Sequence, residues 1–111
     1  MTSPTFRLVA SDIDGTLVDD QGCLSERTKR ALSAVHAQGL EIALVTGLNP
    51  WVARRYGEEI APWLHIVCLN GIFTIEDAQV VPGRFIDAGV ARTAVAIILD
   101  RGYVPLVYGA D

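Results

Sequence analysis

The strongest constraint in the sequence is a short apolar run that ends abruptly in acidic residues. Residues 6–11 are almost continuously apolar, and Asp12-Ile13-Asp14-Gly15-Thr16 follows them directly. A second apolar run, residues 42–45, ends in Thr46-Gly47. Short, continuous apolar runs are typical of strands buried on both faces of a parallel sheet. We therefore expect two such strands, each with polar residues at its carboxyl end.

A helix is predicted after each of these strands. Ser25 can cap a helix that runs to about Gln38. Asn49 and Pro50 supply an N-cap and a first-turn proline for a second helix, predicted over residues 50–59. Two strand–helix units in series predict a right-handed, parallel α/β layer.

The second half of the chain has a different pattern. Two short apolar runs around a four-residue turn predict a β-hairpin after a third strand. Asp87 is the N-cap of a further predicted helix, and Pro105 places the strand that follows at a sheet edge. The predicted elements are a strand at residues 64–69, hairpin strands at 72–75 and 80–81, a helix from Asp87 to Gly102, and a strand at 103–108.

Length and charge narrow the class of protein. The chain has 111 residues, enough for one domain. Nine basic against thirteen acidic residues give a net charge of −4, which disfavours binding to nucleic acid or to a membrane surface. Cys23 and Cys68 have no metal-site spacing and fit a reducing cytoplasm. Residues 1–7 show no secretory signal, and the longest uncharged stretch, residues 60–75, is too short to span a membrane.

The acidic motif points to a metal site. Asp12 and Asp14 follow a strand end, where parallel sheets bind ligands. Two carboxylates this close repel unless a cation neutralises them, and Mg²⁺ prefers hard oxygen ligands together with phosphate oxygens. Gly15 lets the backbone approach a ligand closely, and Thr16 offers a hydroxyl and an amide. A polar turn without a ligand remains the alternative; a calcium-binding EF-hand loop is excluded because Leu17 stands where glycine is required.

Thr46-Gly47 is the second predicted element of the site. It precedes a helix, and helix N-termini attract anions. If the two strands are neighbours, Asp12, Asp14 and Thr46 converge with the N-terminus of the helix that begins at Pro50. Phosphate is then the expected ligand, although Thr-Gly at a strand end is weak evidence by itself.

These residues resemble the haloacid dehalogenase superfamily of phosphohydrolases, and within it the Cof-type phosphatases with an α+β cap. The resemblance extends to about Glu76 and rests on residues 8–17, 42–47 and 68–71, in the family's order. It implies an α/β fold, a partial Rossmann-like core of parallel strands followed by a β-hairpin and the start of the cap. The implied division places residues 1–82 in the core and residues 83–111 in the cap.

The resemblance also implies a reaction. Asp12 would attack phosphorus and become an aspartyl phosphate, while Asp14 would act as general acid and then as general base. Mg²⁺ would be held by the Asp12 carboxylate and the Asp14 backbone carbonyl, and the substrate would be a small phosphorylated metabolite, with a sugar phosphate as one candidate. The implied phosphate-binding and substrate-binding residues are Gly15, Thr16, Thr46, Gly47 and Asn70.

Several family features are absent from this sequence. Leu48 stands where Cof-type members usually carry arginine, and the sole lysine, Lys29, precedes the second motif. The lysine of a third motif and the acidic pair of a fourth are not found. Substitute arginines fall in the cap-like part, at Arg84, Arg92 and Arg101. We therefore expect the chain to end inside the cap and, alone, to be inactive or nearly so.

Two other interpretations stay open. The chain can be a truncated, non-catalytic α/β module that acts as a structural or oligomerisation fragment, and a phosphorylatable receiver domain is a third, poorer fit. A core cut at this point leaves the first strand with an unpaired edge, which leaves self-association open. Structural roles are expected for the remaining candidates: surface or boundary positions for His36 and His65, and a small buried apolar residue at Cys68. Three aromatic residues are expected to pack around the second helix, namely Trp51, Trp63 and Tyr56.

Overall fold

The computed structural model describes residues 5–109, which form one five-stranded sheet and three α-helices. The strands follow one another across the sheet in chain order; β1, β2 and β3 are parallel, and β4 and β5 continue the sheet antiparallel. This confirms the predicted α/β class. Part of the N-terminal stretch 1–7, namely residues 1–4, lies outside the described residues. The elements are β1 (Leu8–Ser11), α1 (Glu26–Ala37), β2 (Glu41–Val45), α2 (Pro50–Ile60), β3 (His65–Cys68), a 3₁₀ turn (Leu69–Gly71), β4 (Phe73–Glu76), β5 (Gln79–Pro82) and α3 (Ala88–Asp100).

The helices begin where their capping residues predict. The Ser25 hydroxyl accepts a hydrogen bond from the Thr28 N–H at 3.1 Å, and Asn49 Oδ1 accepts one from the Val52 N–H at 3.0 Å. The Asp87 carboxylate accepts from two N–H groups in the first turn of α3. Each cap satisfies donors that the first helical turn leaves without partners, so all three predicted N-caps are confirmed.

The hydrophobic core lies on one face of the sheet. Both crossovers run in the same direction, so α1 and α2 cover the same face, where Lys29 Nζ lies 2.7 Å from Glu59 Oε1. The opposite face is largely uncovered, with Val45 41% exposed. Burial on both faces is confirmed for the middle of β2, where Ile42, Ala43 and Leu44 are all buried, but it was a wrong expectation for β1. The strand side chains buried under the helices are Ile42, Leu44, Ile66, Cys68, Phe73 and Ile75.

The first strand is the least buried of the three parallel strands. Leu8 is 54% exposed and Val9 is 37% exposed. Within residues 5–109, β1 pairs with β2 alone and lies at the edge of the sheet. The expected unpaired edge is confirmed, and it explains why an apolar run that looks like a central strand is half exposed.

Two further predictions were wrong. The hairpin turn between β4 and β5 has two residues instead of four, because Asp77 and Ala78 both adopt positive φ (49° and 61°), as two-residue type I′ turns require. Residues 103–108 form no strand in the described chain, since no neighbouring strand offers them hydrogen bonds. In the same range, no helix is both long and apolar enough to cross a membrane.

The aromatic residues around α2 have different environments. Trp63 stacks on His36 with 3.8 Å between ring centroids, and Tyr56 packs against the core. Trp51 is 59% exposed, so its expected packing role was wrong.

Candidate active site

The turn after β1 holds two carboxylates around one buried anchor. Ile13 is 1% exposed, whereas Asp12 and Asp14 on either side of it are both exposed. The Ile13 carbonyl oxygen accepts three hydrogen bonds, at 2.9–3.3 Å, from the N–H groups of the following turn. The turn is therefore fixed to the core by Ile13, and the two carboxylates are left available to a ligand.

The remaining motif residues shape this turn. Gly15 has φ +70°, a left-handed conformation that a residue with a Cβ adopts only with strain. The Thr16 N–H, which the sequence suggested as a ligand donor, donates to the Ile13 carbonyl at 3.2 Å. The exposed hydroxyl is therefore the group that Thr16 can offer to a ligand.

The carboxyl ends of β1 and β2 lie side by side. Ser11 pairs in parallel register with Leu44, so Asp12 follows at the level of Val45, next to Thr46. The condition set by the sequence, that the two strands be neighbours, is met. The acidic turn and the Thr46-Gly47 loop therefore share one edge of the sheet.

Thr46 is the buried polar residue of this edge, with 3% exposure. Its N–H donates to the Val67 carbonyl at 2.9 Å, and its Oγ1 accepts from the Leu48 N–H at 3.1 Å. Because the hydroxyl oxygen is occupied as an acceptor, its proton remains free for donation to an anion. The first turn of α2 begins nearby at Pro50 and adds the positive end of a helix dipole.

The 3₁₀ turn brings Asn70 into the same place. The Asn70 N–H donates to the Thr46 carbonyl at 3.4 Å, and the Leu69 N–H donates to the Leu48 carbonyl at 3.0 Å. A Cβ on Gly47 would lie 3.6 Å from Asn70 Oδ1, so the Asn70 amide is directly beside the Thr46-Gly47 loop. The sequence suggested Asn70 only through the resemblance, because these contacts join residues far apart in the chain.

The charged side chains of the site are the two acidic ones. Neither Asp12 nor Asp14 belongs to any ion pair found within residues 5–109. Leu48, at the expected arginine position, is partly buried against the hydrophobic core and brings no charge. Two carboxylates without a cationic partner suit a cation of hard character.

A magnesium ion fits these donors in part. The described chain contains no group of three or more acidic, histidine or cysteine side chains that could hold a metal. Mg²⁺ commonly binds through one or two carboxylates and keeps several waters and substrate phosphate oxygens in its octahedral shell. Asp12 and Asp14 can supply the protein's share of such a shell.

A flap beside the site is attached to α2. Residues 17–24 form this flap, in which Val18 and Leu24 make an isolated antiparallel bridge with both side chains buried. The Tyr56 hydroxyl donates to the Gly22 carbonyl at 3.3 Å and joins the tip of the flap to the helix. Sequence reasoning assigned Tyr56 to packing and missed this contact, since it spans 34 positions.

Cys68 does not take part as a nucleophile. It is a free, fully buried cysteine at the end of β3. Burial raises the pKa of its thiol to about 11, so the reactive thiolate is scarce near neutral pH. Its expected role as a small buried apolar residue is confirmed.

The comparisons with known proteins agree with this geometry. The family model for haloacid dehalogenase-like hydrolases matches residues 9–111. YkrA of Bacillus subtilis (strain 168) is 26% identical over 106 residues, which cover 95% of this chain and 40% of YkrA. The 5-amino-6-(5-phospho-D-ribitylamino)uracil phosphatase YcsE of the same strain is 26% identical over 66 residues, or 60% of this chain and 26% of YcsE.

The solved structures show the same fold. A haloacid dehalogenase-like hydrolase from B. subtilis superposes with a TM-score of 0.77 at 20% identity, over 87% of this chain and 34% of that one. The chain thus spans less than half the length of each of these relatives. With the family model matching nearly all of its residues, the chain belongs to the haloacid dehalogenase-like hydrolases, as its three motifs implied.

Proposed function

We propose that this chain carries the nucleophile and the phosphate-binding loop of a Mg²⁺-dependent, Cof-type phosphatase of the cytoplasm. The substrate is a small phosphorylated metabolite, with a sugar phosphate as one candidate. The observation that carries the proposal is the pair of exposed carboxylates, Asp12 and Asp14, on a turn anchored beside the buried hydroxyl of Thr46.

The proposed reaction has two steps. An Asp12 carboxylate oxygen forms a bond to phosphorus while the ester P–O bond breaks, and Asp14 gives its proton to the leaving oxygen. Asp14 then takes a proton from water, whose oxygen attacks the aspartyl phosphate and releases inorganic phosphate. Asp12 is restored as a carboxylate, and Asp14 regains the proton that it gave in the first step.

The metal would be held by the Asp12 carboxylate and the Asp14 backbone carbonyl. When bound, it supplies positive charge that reduces repulsion between the attacking carboxylate and the phosphate. Thr46 would donate its hydroxyl proton to a phosphoryl oxygen, with N–H groups around Gly15 and Gly47 adding donors. The hydroxyl of Thr16 and the amide of Asn70 would orient the substrate.

The core and the cap divide at residues 82 and 83 in this proposal. β5 ends at Pro82, and the Gly83 N–H donates to the Ile72 carbonyl at 2.7 Å, which closes the hairpin against the preceding turn. Beyond it, α3 contains no buried residue. Residues 1–82 would form the core part and residues 83–111 the start of the cap.

Metal titration tests the site without requiring turnover. Addition of MgCl₂ to the ¹⁵N-labelled chain should shift the amide resonances of residues 12–16 and 46–47 with saturation. Asp12→Asn should weaken this response at least tenfold, whereas Asp14→Asn, which keeps the backbone carbonyl, should weaken it less. The matched control is Asp77→Asn, an exposed acid in the hairpin turn at a positive φ that asparagine tolerates. Equal weakening by the control, or no saturable shift, would contradict the site.

Activity is a separate measurement. Because the family's lysine and second acidic pair are absent from the sequence, we expect no hydrolysis of p-nitrophenyl phosphate above background by the 111-residue chain with Mg²⁺. Turnover that Asp12→Asn abolishes would overturn this expectation, while supporting Asp12 as the nucleophile.

A further inference from the structure

The acidic turn and the flap that follows it form one continuous segment, residues 12–24. The Leu17 N–H, at the base of the flap, donates to the Ile13 carbonyl at 2.9 Å, and the Val18 N–H donates to the same oxygen at 3.3 Å. Val18 also forms the bridge to Leu24 that closes the flap. One carbonyl group therefore holds both the turn with the two acids and the base of the flap, so a displacement of the flap moves the turn as well.

The tip of the flap, residues 19–23, is held together by its own hydrogen bonds. The Asp19 carboxylate accepts from the N–H groups of Gln21 and Cys23, both at 2.9 Å. The backbone adds a bond from the Gly22 N–H to the Asp19 carbonyl at 2.9 Å and one from the Asp19 N–H to the Cys23 carbonyl at 3.1 Å. Because the tip is bonded internally, we expect it to move as one body.

Tyr56 connects this tip to α2. Its hydroxyl donates to the Gly22 carbonyl at 3.3 Å, and within residues 5–109 the other hydrogen bonds of the tip stay inside the flap. Gly22 has φ +74°, and a Cβ there would lie 3.4 Å from the Tyr56 hydroxyl oxygen. Glycine at this position therefore permits the left-handed turn and leaves room for the tyrosine.

α2 is a firm support for the flap. Ala53, one turn before Tyr56, is fully buried. Gly57, the next residue after Tyr56, lies so close to β3 that a Cβ there would meet Ile66 Cδ1 at 2.8 Å. The helix begins at Pro50, directly after the loop that contains Thr46. The element that holds the flap tip is therefore the same one that follows the proposed phosphate-binding loop.

The two halves of the proposed site are thus joined at two places. The pairing of β1 with β2 ends at Ser11 and Leu44, and the acidic turn lies beyond this last pair. The Tyr56 contact is the second attachment, and it joins the helix on the phosphate side to the flap on the acidic side. A second, separate attachment restricts rotation of the turn, as the supporting hydrogen bonds of a site do.

We propose that Tyr56 is a positioning residue of the site, whose hydroxyl holds the flap so that the acidic turn keeps its place beside the Thr46-Gly47 loop. This role rests on the proposed function, in which the Asp12 carboxylate and the Asp14 carbonyl bind Mg²⁺. Tyr56 acts on these groups through the flap.

Hydrogen exchange tests the coupling without a metal. Tyr56→Phe removes the donor and keeps the ring. We expect the N–H groups of residues 16–18, which donate to the Ile13 carbonyl, to exchange about threefold faster or more. Ile75→Val is the control, because it removes a buried methylene on β4, three strands away from β1. It lowers global stability, to which amides that exchange through local opening do not respond.

Magnesium titration of the ¹⁵N-labelled chain tests the effect on the site. Tyr56→Phe should raise the Kd for Mg²⁺ about threefold or more, and Ile75→Val should leave it unchanged, whereas a general loss of stability would affect both variants alike.

Three outcomes would overturn this role: unchanged exchange at residues 16–18 in Tyr56→Phe, equal acceleration by Ile75→Val, or unchanged Mg²⁺ affinity in a chain that binds the ion. A wild-type chain without a saturable Mg²⁺ response would contradict the proposed function instead. The exchange rates at residues 16–18 then decide whether Tyr56 holds the turn.

Discussion

Three consecutive residues beside the proposed phosphate site have left-handed backbone conformations: Leu69 (φ 45°), Asn70 (φ 54°) and Gly71 (φ 100°). Asparagine and glycine tolerate this region, but for leucine it costs about 1–2 kcal/mol. Hydrogen bonds to the carbonyls of Leu48 and Thr46 hold the turn in place. Strain of this kind is often concentrated at functional sites, which supports the role proposed for Asn70.

Gly83 is the glycine that we expect to tolerate substitution least. A Cβ at this position would lie 2.6 Å from the Ile72 carbonyl oxygen, a backbone atom that cannot move without breaking the hairpin contact. Gly83→Ala should lower the free energy of unfolding by about 1–3 kcal/mol in urea denaturation. Gly47→Ala is the matched control, since its Cβ would meet Asn70 Oδ1 at an ordinary 3.6 Å. Equal losses in both variants would contradict this steric explanation.

At the level of elements, the contact between the flap and α2 depends on one hydroxyl group. Tyr56→Phe removes the donor to the Gly22 carbonyl and keeps the ring that packs against the core. We expect a loss of about 0.5–1.5 kcal/mol in unfolding free energy and faster amide hydrogen exchange at Gly22 and Cys23. Tyr103→Phe, on a tyrosine that is 70% exposed, should change neither. Unchanged exchange in Tyr56→Phe would show that the flap is held by Val18 and Leu24 alone.

The sequence predicted those elements whose signals are local. Caps such as Ser25 and Asn49 act within one helical turn, so the helix starts could be predicted to the residue. The burial of β1 could not be predicted, because an apolar run of this kind occurs both in central strands and in edge strands. Which of the two it forms depends on the strands that lie next to it. For the same reason residues 103–108 form no strand in the described chain, although they are apolar enough for one.

In the candidate site, too, local features could be predicted from the sequence and long-range contacts could not. Asp12, Asp14 and Thr46 could be predicted to converge because parallel register aligns strand ends. The contact of Asn70 with the Thr46-Gly47 loop depends on positive φ angles and on long-range hydrogen bonds. No local pattern of residue types encodes those.

The whole molecule is elongated. Its radius of gyration is 17.2 Å, against about 13 Å for a compact domain of this length. Within residues 5–109 the buried core residues all lie between Ile13 and Ile75, and α3 adds none. The stability of the described chain therefore resides in the sheet and the two helices that cover it.

Removal of α3 should consequently leave the core folded. A chain of residues 1–86 retains Phe85, whose ring packs edge-on against Phe73 with 5.5 Å between centroids. We expect its thermal unfolding midpoint to stay within about 4 °C of the full chain, because little apolar contact is lost. A shift well beyond that in circular dichroism, or loss of a cooperative transition, would show that α3 supports the core.

The separate roles of Ile13 and of the two acids beside it, Asp12 and Asp14, have a genetic consequence. The buried isoleucine anchors the turn, and the exposed acids beside it contribute little to the core. A single base change converts either aspartate codon into one for asparagine, which fits the same turn. A gene of this kind can therefore lose the two carboxylates to which we assign catalysis and still encode a folded protein, so descendants that retain the fold need not retain the proposed reaction.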